Sequence, residues 1–288
     1  MRRRFRLILI TLIAFLLFAS SCKSGPKNLT LYGINTGKSD CLIFRLPNGE
    51  TLMVDIGLEE TYEKVKAMLD MAKVKQIDHL IITHGHKDHI GGLKQLTKDY
   101  DITTIYTNAY DTATYSKKER TLISENADKW VQIHPSGDSS SISFGEVGLE
   151  FLAPDRAYSD EEDDNNNSLV LRLVHGNITF LLMGDATSLI EENLLARLGE
   201  VQLHADFLKA GRHGKADANT QAFINAVSPI AVYVTGNRDD DKDSPDGAVL
   251  ERYEAVGADV FINEGNHLAV TWISDGQTLS PGKYITAY

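Results

Sequence analysis

The sequence predicts an α/β (α+β) fold arranged as a four-layered αββα sandwich. A β-meander followed by a helical segment occurs twice, once in each half of the 288 residues. Short apolar runs bounded by Gly, Pro and Asn indicate the strands, and apolar residues three or four positions apart indicate the helices. A hydrophobic content of 42% supplies enough apolar side chains for the core of such a sandwich.

The first half opens with a meander of three strands, and Pro47-Asn48-Gly49 is the hairpin signal between its second and third strands. Helical spacing and further strands then alternate up to a polar loop at 136–141. We expect strands at 29–34, 41–46, 51–57, 77–83 and 99–108, with helices at 59–73, 90–96 and 112–128.

The second half repeats the pattern around an acidic segment at 159–168. That segment lacks the ligand spacing of an EF-hand calcium loop, so we interpret it as a solvated loop. Strands are expected at 147–152, 169–173, 178–182, 205–210, 230–235, 259–263 and 268–273, and helices at 186–198 and 248–256.

A loop rich in potential metal ligands follows the strand expected at 77–83. Three of the nine histidines and one aspartate lie within six residues, at His84, His86, Asp88 and His89. Imidazole nitrogen suits zinc, and a carboxylate oxygen extends the range to manganese or iron. A polar loop that is rich in histidine by chance is the plain alternative, but a strand that ends in converging ligands favours a metal site.

This loop, His-x-His-x-Asp-His followed by Ile-Gly-Gly, resembles the signature of the metallo-β-lactamase fold superfamily. A narrower resemblance is to the extracytoplasmic-type domain of ComEC-like competence proteins and their stand-alone relatives. It rests on the turn Gly37-Lys38-Ser39-Asp40, the Pro47-Asn48-Gly49 hairpin and the strand end Asp55-Ile56-Gly57. One glycine of the usual Gly-x-Gly-Asp turn is replaced here. The resemblance covers residues 29 to 275 and implies the αββα sandwich.

The resemblance also implies one or two divalent metal ions, zinc in the first place and manganese in the second. His84 and His86 would bind one ion, and Asp88 and His89 would bind the other. Asp185 follows a buried strand and a glycine, which is the position of the bridging carboxylate in the superfamily. An N-cap of the following helix is the alternative role for Asp185, since Asp is a favoured cap.

Two further positions depart from the pattern of the ComEC-like proteins, and one departs from that of many other superfamily members. Arg212 stands at the first histidine of their His-His-Gly-Ser motif. If the first histidine is the ligand, this chain has lost it; if the second is, His213 completes the second metal site, and this is the interpretation we expect to hold. Ser244 stands where a histidine is usual. The third histidine of the first metal site, found in many superfamily members, is missing, because His175 lies at the far end of its strand.

The implied activity is a metal-dependent hydrolase that cleaves a phosphodiester, nucleotide or nucleic-acid-like, with a metal-activated water. Asp88 and Lys209 are the predicted catalytic residues, and Arg212 is a possible contact for the substrate anion. One alternative is a degenerate, non-catalytic lipoprotein that keeps the fold as a scaffold or binding module. Another is a hydrolase of the lactonase or β-lactamase type.

The N-terminus resembles a bacterial lipoprotein signal. A basic segment and the apolar run 7–18 precede Ala19-Ser20-Ser21-Cys22. We expect residues 1–21 to be a signal peptide, Cys22 to carry the lipid, 22–28 to be a tether and 29–288 to be the domain. The protein would then be exported and anchored in the bilayer on the periplasmic face or cell surface. A plain secretory signal or an uncleaved anchor is the alternative, and no protein partner is predicted.

Net charge restricts the substrate. The formal charge of −11 would become about −15 on loss of the four arginines in the signal. Proteins that bind long polyanions need clustered Lys and Arg side chains. The negative net charge therefore favours a small phosphodiester over long nucleic acid as the substrate.

Overall fold

A computed structural model of the protein describes residues 28–110, 114–135, 140–159 and 163–286. Two β-sheets pack face to face, and helices cover the outer face of each, so the predicted αββα sandwich is confirmed. The expected signal peptide and the lipid attachment site Cys22 lie outside the described residues. Cys41 is fully buried.

Each sheet combines an antiparallel meander with a parallel part. The strands are β1 (Leu29–Ile34), β2 (Leu42–Arg45), β3 (Thr51–Val54), β4 (Gln76–Ile82), β5 (Asp101–Asn108), β6 (Trp130–Ile133), β7 (Ser141–Phe144), β8 (Val147–Ala153), β9 (Val170–His175), β10 (Ile178–Leu182), β11 (Phe207–Lys209), β12 (Ala231–Val234), β13 (Asp259–Ile262), β14 (His267–Ser274) and β15 (Lys283–Thr286). The first sheet has the order β15-β14-β1-β2-β3-β4-β5-β6, and the second has the order β13-β12-β11-β10-β9-β8-β7. Strands β3 to β6 are parallel in the first sheet, and β10 to β13 are parallel in the second.

The helices lie on both outer faces of the sandwich. They are α1 (Tyr62–Met71), α2 (Lys87–Ile90), α3 (Leu93–Asp99), α4 (Lys117–Glu125), α5 (Ser188–Leu203), α6 (Gln221–Val227) and α7 (Gly247–Ala255). The first four pack on the first sheet, and the last three pack on the second. Helix α4 begins with a capping box between Ser116 and Glu119, which fixes its start and explains why it is shorter than the predicted helix at 112–128.

The core between the sheets is apolar and rich in aromatic rings. Phe44 of the first sheet meets Phe180 of the second edge to face, with ring centroids 5.9 Å apart. Trp272 packs against Phe207 at 4.8 Å and Tyr233 at 5.6 Å. Edge-to-face pairs add about 0.5–1.5 kcal/mol each beyond their buried area, so these contacts help to hold the sheets together.

Several short elements were not predicted. Strands β6, β7 and β15 have four residues each, and helix α6 has seven, so their apolar periodicity is too brief to stand out. The helix predicted at 90–96 is two helices, α2 and α3, joined at Gly91-Gly92. Helix α5 runs beyond the predicted end at 198 and is interrupted at Gly199, whose φ is 70°. Asp88 and His89 of the ligand-rich loop lie in α2, and His84 and His86 precede it.

The close approach of the two sheets predicts that Gly33→Ala is destabilising. A Cβ at this position would lie 2.4 Å from Cε1 of Tyr233, whose buried hydroxyl donates to the carbonyl of Ile34 at 3.0 Å. We expect a loss of about 1–3 kcal/mol in the free energy of unfolding, because the ring has to move within a packed core.

Urea denaturation of Gly33→Ala and Gly148→Ala tests this expectation. Gly148 also lies in a strand, but a Cβ there would have no atom within 4 Å. We expect the Gly148→Ala midpoint to stay at or above that of the wild type, since alanine restricts the unfolded chain. Equal midpoints for the two variants would contradict the close contact.

Candidate metal centre

The carboxyl ends of parallel strands from both sheets meet at one edge of the sandwich. Asp55 follows β3, and Thr83 and the ligand loop follow β4. Asp185 and His213 come shortly after β10 and β11 in the second sheet. Side chains that are distant in sequence therefore reach a common region between the two sheets.

Asp55 fixes the ligand loop to the first sheet. Its Oδ1 accepts a hydrogen bond from the Thr83 amide at 2.8 Å, and its Oδ2 accepts one from the Thr83 hydroxyl at 2.7 Å. The same Oδ2 lies 2.7 Å from Nδ1 of His89. A carboxylate on one imidazole nitrogen orients the ring and leaves the other nitrogen for a metal. Nε2 of His89 accordingly points toward Asp185.

Four predicted ligands converge as a compact group. Nε2 of His89 lies 3.3 Å from Oδ1 of Asp185, and Nε2 of His213 lies 3.1 Å from Oδ2 of the same carboxylate. Asp88 joins them, with its Oδ2 3.4 Å from Nε2 of His213. Thr187, and not Asp185, is the N-cap of α5, since its hydroxyl accepts from the Leu189 amide. The carboxylate of Asp185 is therefore directed at the histidines.

The donor atoms of this group fit a divalent ion. Within the part of the chain that the structure describes, Nε2 of His89, Nε2 of His213 and Oδ1 of Asp185 are buried and have no hydrogen-bond partner. Unpaired buried polar atoms cost about 1–3 kcal/mol each, so three that face one another need a common partner. Two imidazoles and a carboxylate are a ligand set suited to zinc or manganese.

The charges of the group are coupled. Burial opposes the charge of His89, but the carboxylates of Asp185 and Asp55 outweigh it and hold the pKa of this imidazole well above its usual range. Burial also opposes the charge of His213, and Asp185 raises its pKa to about 9. Burial likewise opposes ionisation of Asp185, yet the two imidazoles hold its pKa well below the usual range. The surroundings therefore favour a negative carboxylate with positive charge close to it.

Asp40 is a member of the cluster that the sequence interpretation missed. One ligand atom from each of Asp40, His89, Asp185 and His213 lies within 4.8 Å of the others. Oδ1 of Asp40 is 3.3 Å from Nδ1 of His213, and Oδ2 is 3.8 Å from Nδ1 of His89. Asp40 thus faces Nδ1 of both imidazoles, whereas Asp185 faces Nε2 of both. The signal was present, because Asp40 ends the glycine turn on which the resemblance rested.

Lys209 lies fully buried beside this cluster. Its Nζ forms an ion pair with Asp40, donates to the carbonyl of Gly184 at 2.8 Å and lies 3.9 Å from Oδ1 of Asp185. These contacts position the two aspartates and the backbone next to them. The predicted catalytic role of Lys209 stays a prediction.

His84 and His86 form a second group next to the first. Nε2 of His84 faces Nδ1 of His86 at 3.0 Å, and the rings of His84 and His89 have centroids 4.2 Å apart. Burial, reinforced by the positive charge of His89, holds the pKa of His84 well below its usual range. A neutral imidazole is the form that binds metal. The predicted pair of ligands for a first ion is thus next to the predicted ligands of the second.

Arg212 and His213, adjacent in sequence, face different surroundings. Both have left-handed backbone conformations, with φ of 46° and 52°, and this turn sends the imidazole inward. The guanidinium of Arg212 forms ion pairs with Asp163 and, at 2.9 Å, with Asp217. Arg212 therefore already has two carboxylate partners, and its contact with a substrate anion stays a prediction. His175 is remote, at the end of β9, where it contacts Ser274.

The sequence comparison assigns the family. The profile of the metallo-beta-lactamase superfamily matches residues 34–236, a span that includes every predicted metal ligand. The chain belongs to the metallo-beta-lactamase superfamily. The resemblance to this superfamily is thereby confirmed, and the superfamily together with the acidic and imidazole cluster implies divalent metal ions.

Curated relatives confirm the narrower resemblance to competence proteins. The chain is 24% identical over 256 residues to ComE operon protein 3 of Bacillus subtilis and 28% identical over 191 residues to competence protein ComA of Neisseria gonorrhoeae. These alignments cover 83% and 66% of this chain but only 32% and 24% of the relatives. A "UPF0173 metal-dependent hydrolase" of Anoxybacillus flavithermus is 29% identical over 119 residues, which is 40% of this chain and 45% of that relative.

Two solved structures resemble the chain more distantly. A diphosphatase from the PhnP family has a TM-score of 0.45 and 15% identity, and the match covers 71% of this chain and 85% of that one. A metallo-beta-lactamase from Cronobacter sakazakii has a TM-score of 0.38 and 12% identity, with coverage of 64% and 74%. Because both similarities are low, the family assignment rests on the profile match.

Across residues 28–110, 114–135, 140–159 and 163–286, no helix combines the length and the apolarity needed to span a bilayer. The lipid attachment predicted at Cys22 is a separate matter, because that residue lies outside these ranges.

The contacts of Asp55 predict that Asp55→Asn weakens metal binding. An amide offers one acceptor oxygen, so it cannot accept from the Thr83 amide and hydroxyl and also hold Nδ1 of His89. We expect the affinity for Zn²⁺ to fall by about 10–100-fold, as is typical when a carboxylate behind a ligating histidine is lost.

Equilibrium dialysis of the two proteins against buffered Zn²⁺, with elemental analysis, measures this change. Asp78→Asn is the matched control. Asp78 belongs to the same sheet and accepts from the Thr51 amide at 2.8 Å, away from the cluster. An Asp55→Asn protein that binds zinc as tightly as the Asp78→Asn control would show that Asp55 does not position His89.

Proposed function

We propose that this chain is a metal-dependent hydrolase that cleaves a phosphodiester of a nucleotide or a nucleic-acid-like molecule. The observation that carries the proposal is the pair of adjacent ligand groups. One contains His84 and His86, and the other contains Asp88, His89, Asp185 and His213. Two neighbouring ions are the arrangement that stabilises both the attacking and the leaving oxygen in phosphoryl transfer.

Divalent ions at these residues would supply a water that ionises near neutral pH and positive charge for the leaving oxygen. The side chains contribute orientation and proton transfer. Asp88 is the member of its group that a substrate can reach, since its side chain is 20% exposed whereas that of Asp185 is 7% exposed. Burial opposes charge on Asp88, but contact with His213 holds its pKa well below the usual range. Its carboxylate would therefore orient the attacking water.

Cationic groups at the rim support an anionic substrate. Nζ of Lys38 lies 3.4 Å from Oδ2 of Asp88, and its side chain is 23% exposed. Lys87 is exposed at the start of α2, next to the ligand loop. The protein is otherwise acidic, with a net charge of −11. Two lysines at the rim of the site can bind a small phosphodiester, whereas a long polyanion would need a larger cluster of cationic side chains.

The relatives give the proposal its substrate class. The sequence resemblance to ComEC-like domains implies phosphodiester or nucleic-acid substrates, and the curated relatives carry competence names. Recombination protein 2 of Haemophilus influenzae, 24% identical over 177 residues, belongs to the same group of matches. The chain spans a third or less of the length of these three relatives, so the activity of the whole relatives enters here as a proposal.

Hydrolysis of bis(4-nitrophenyl) phosphate by the zinc- or manganese-loaded protein tests this function. We expect His89→Ala to lower the rate by about 100-fold or more, because the variant loses a ligand that Asp55 and Asp185 both contact. His204→Ala is the control. His204 lies at the end of α5, where its Nδ1 is 3.1 Å from the Val227 carbonyl, and its loss should leave the rate unchanged.

Two other substrates decide between the alternatives. Cleavage of a γ-lactone or of nitrocefin in the absence of phosphodiester cleavage would replace the proposal by a lactonase or β-lactamase. Bound metal with no turnover of any of the three substrates would favour the non-catalytic scaffold.

We also propose that the protein is exported and anchored by a lipid on Cys22, on the basis of the signal-like segment at 1–21. The lipid bilayer would then be a partner of the protein. In a bacterial host fed with a labelled fatty acid, the wild type should carry the label in the membrane fraction, and Cys22→Ser should lose it. Cys41→Ala, which removes the buried cysteine, should keep the label. Equal labelling of the two variants would exclude the anchor.

A further inference from the structure

We propose that Asn165 supplies the third ligand for the ion at His84 and His86, at the position where the chain lacks the third histidine. The inference concerns the ligand set alone and does not depend on which substrate the protein cleaves. It rests on the positions of three donor atoms and on the partners of the remaining ring nitrogens of the two histidines. It also rests on the hydrogen bond from the asparagine to Asp163, which pairs with Arg212.

Nδ1 of His86 lies close to two other donor atoms, one from the ligand loop and one from a distant turn. Nε2 of His84 lies 3.0 Å from Nδ1 of His86, and this nitrogen lies 3.1 Å from Oδ1 of Asn165. Ligands at about 2.0–2.1 Å from a tetrahedral ion are about 3.3 Å apart, so these separations are close to those of a shared ion. Residues 86 and 165 are 79 positions apart, which makes their meeting a property of the fold.

The remaining ring nitrogens have partners of their own. Nδ1 of His84 lies 3.2 Å from the hydroxyl of Ser168, and Nε2 of His86 lies 3.3 Å from Oδ2 of Asp164. A hydroxyl or carboxylate behind a histidine fixes the ring and leaves the opposite nitrogen for the metal. Both rings are therefore oriented so that the nitrogens on the side of Asn165 are the ones free to bind an ion.

The amide of Asn165 is held with its oxygen toward His86. Its Nδ2 donates to Oδ1 of Asp163 at 2.6 Å, so the opposite end of the amide presents the acceptor. Asp163 is fixed in turn by the guanidinium of Arg212, which also pairs with Asp217 at 2.9 Å. Arg212 is thus a positioning residue that acts through Asp163 on the asparagine.

The turn that carries Asn165 is anchored in the protein interior. It runs over Asp164–Asn167, and the side chains of Asn166 and Asn167 are almost completely buried. Oδ1 of Asn166 accepts from the amide and the hydroxyl of Thr187 at 3.1 and 2.8 Å. A ligand on an anchored turn loses little conformational entropy when it binds an ion. A single neutral oxygen can therefore contribute to the affinity for the ion.

An amide oxygen is a harder and weaker donor than imidazole. The ion at His84 and His86 should therefore bind less tightly than the ion at the second group, and its preference for zinc over manganese should be smaller than at a site with three imidazoles. Metal preference therefore distinguishes this site from a site with three histidines, which would favour zinc more strongly.

Equilibrium dialysis of the full chain against Zn²⁺ or Mn²⁺, with elemental analysis, tests the proposal without an activity assay. We expect two ions per wild-type chain. Asn165→Ala should bind the weaker ion at least about 10-fold less tightly, whereas Asn165→His should bind it more tightly and with a stronger preference for zinc. Asn225→Ala, an exposed asparagine on α6, is the matched control and should match the wild type.

Imidazole ¹⁵N spectra identify which ion is lost. In the zinc-loaded wild type, Nδ1 of His86 should show the shift of a metal-bound nitrogen. In Asn165→Ala it should revert while Nε2 of His89 keeps its bound shift. Arg212→Met should weaken the same ion alone. If Asn165→Ala folds poorly, Asn165→Asp, which keeps the oxygen, should still bind two ions.

Unchanged affinity for both ions in Asn165→Ala would overturn the proposal, as would a wild type whose His86 stays unliganded at saturating Zn²⁺. Neither result depends on turnover. A protein that binds two ions as expected but cleaves no phosphodiester would retain this ligand assignment and lose the proposed function.

Discussion

The arrangement of the site depends on one buried carboxylate. Asp55 is fully buried and has a left-handed backbone conformation, with φ of 57°, directly after β3. Because β3 and β4 are parallel neighbours, this carboxylate reaches the start of the ligand loop and satisfies both the amide and the hydroxyl of Thr83. Oδ2 of the same carboxylate also contacts Nδ1 of His89, at 2.7 Å. The fold of the first sheet thus decides where the ligands point, since one residue links the sheet, the loop and the imidazole.

Charge balance is the second constraint on this region. Asp40 and Asp185 are buried together, and like charges in an interior of low dielectric repel unless cations lie between them. The protein supplies Lys209, which is itself fully buried and reaches both carboxylates. The imidazoles of His89 and His213 provide the rest. A divalent ion would replace one proton on each ring, at Nε2, with a fixed positive charge, so the same cluster that is costly to bury is well suited to metal.

Local sequence predicted those parts of the fold and site that are local in the chain. The meanders and the ligands of the loop at 84–89 could be predicted, because strand periodicity and metal-ligand spacing are both short-range patterns. The four-residue strand β6 was missed for lack of periodicity. Asp40 and Asn165 were missed as site residues for a different reason. Their approach to the histidines arises from strand order and from an anchored turn, and asparagine carries no strong prior as a ligand.

The meeting of strand ends from both sheets has a consequence for the stability of the whole chain. Any ion bound by His89 and Asp185 would join two segments separated by about 100 residues, as a cross-link does. Because the folded chain holds these ligands together and the unfolded chain does not, such an ion would stabilise the fold by mass action. Cys41, the cysteine that the structure describes, is buried and unpaired. Resistance to heat or protease would then depend on the supply of metal around the protein.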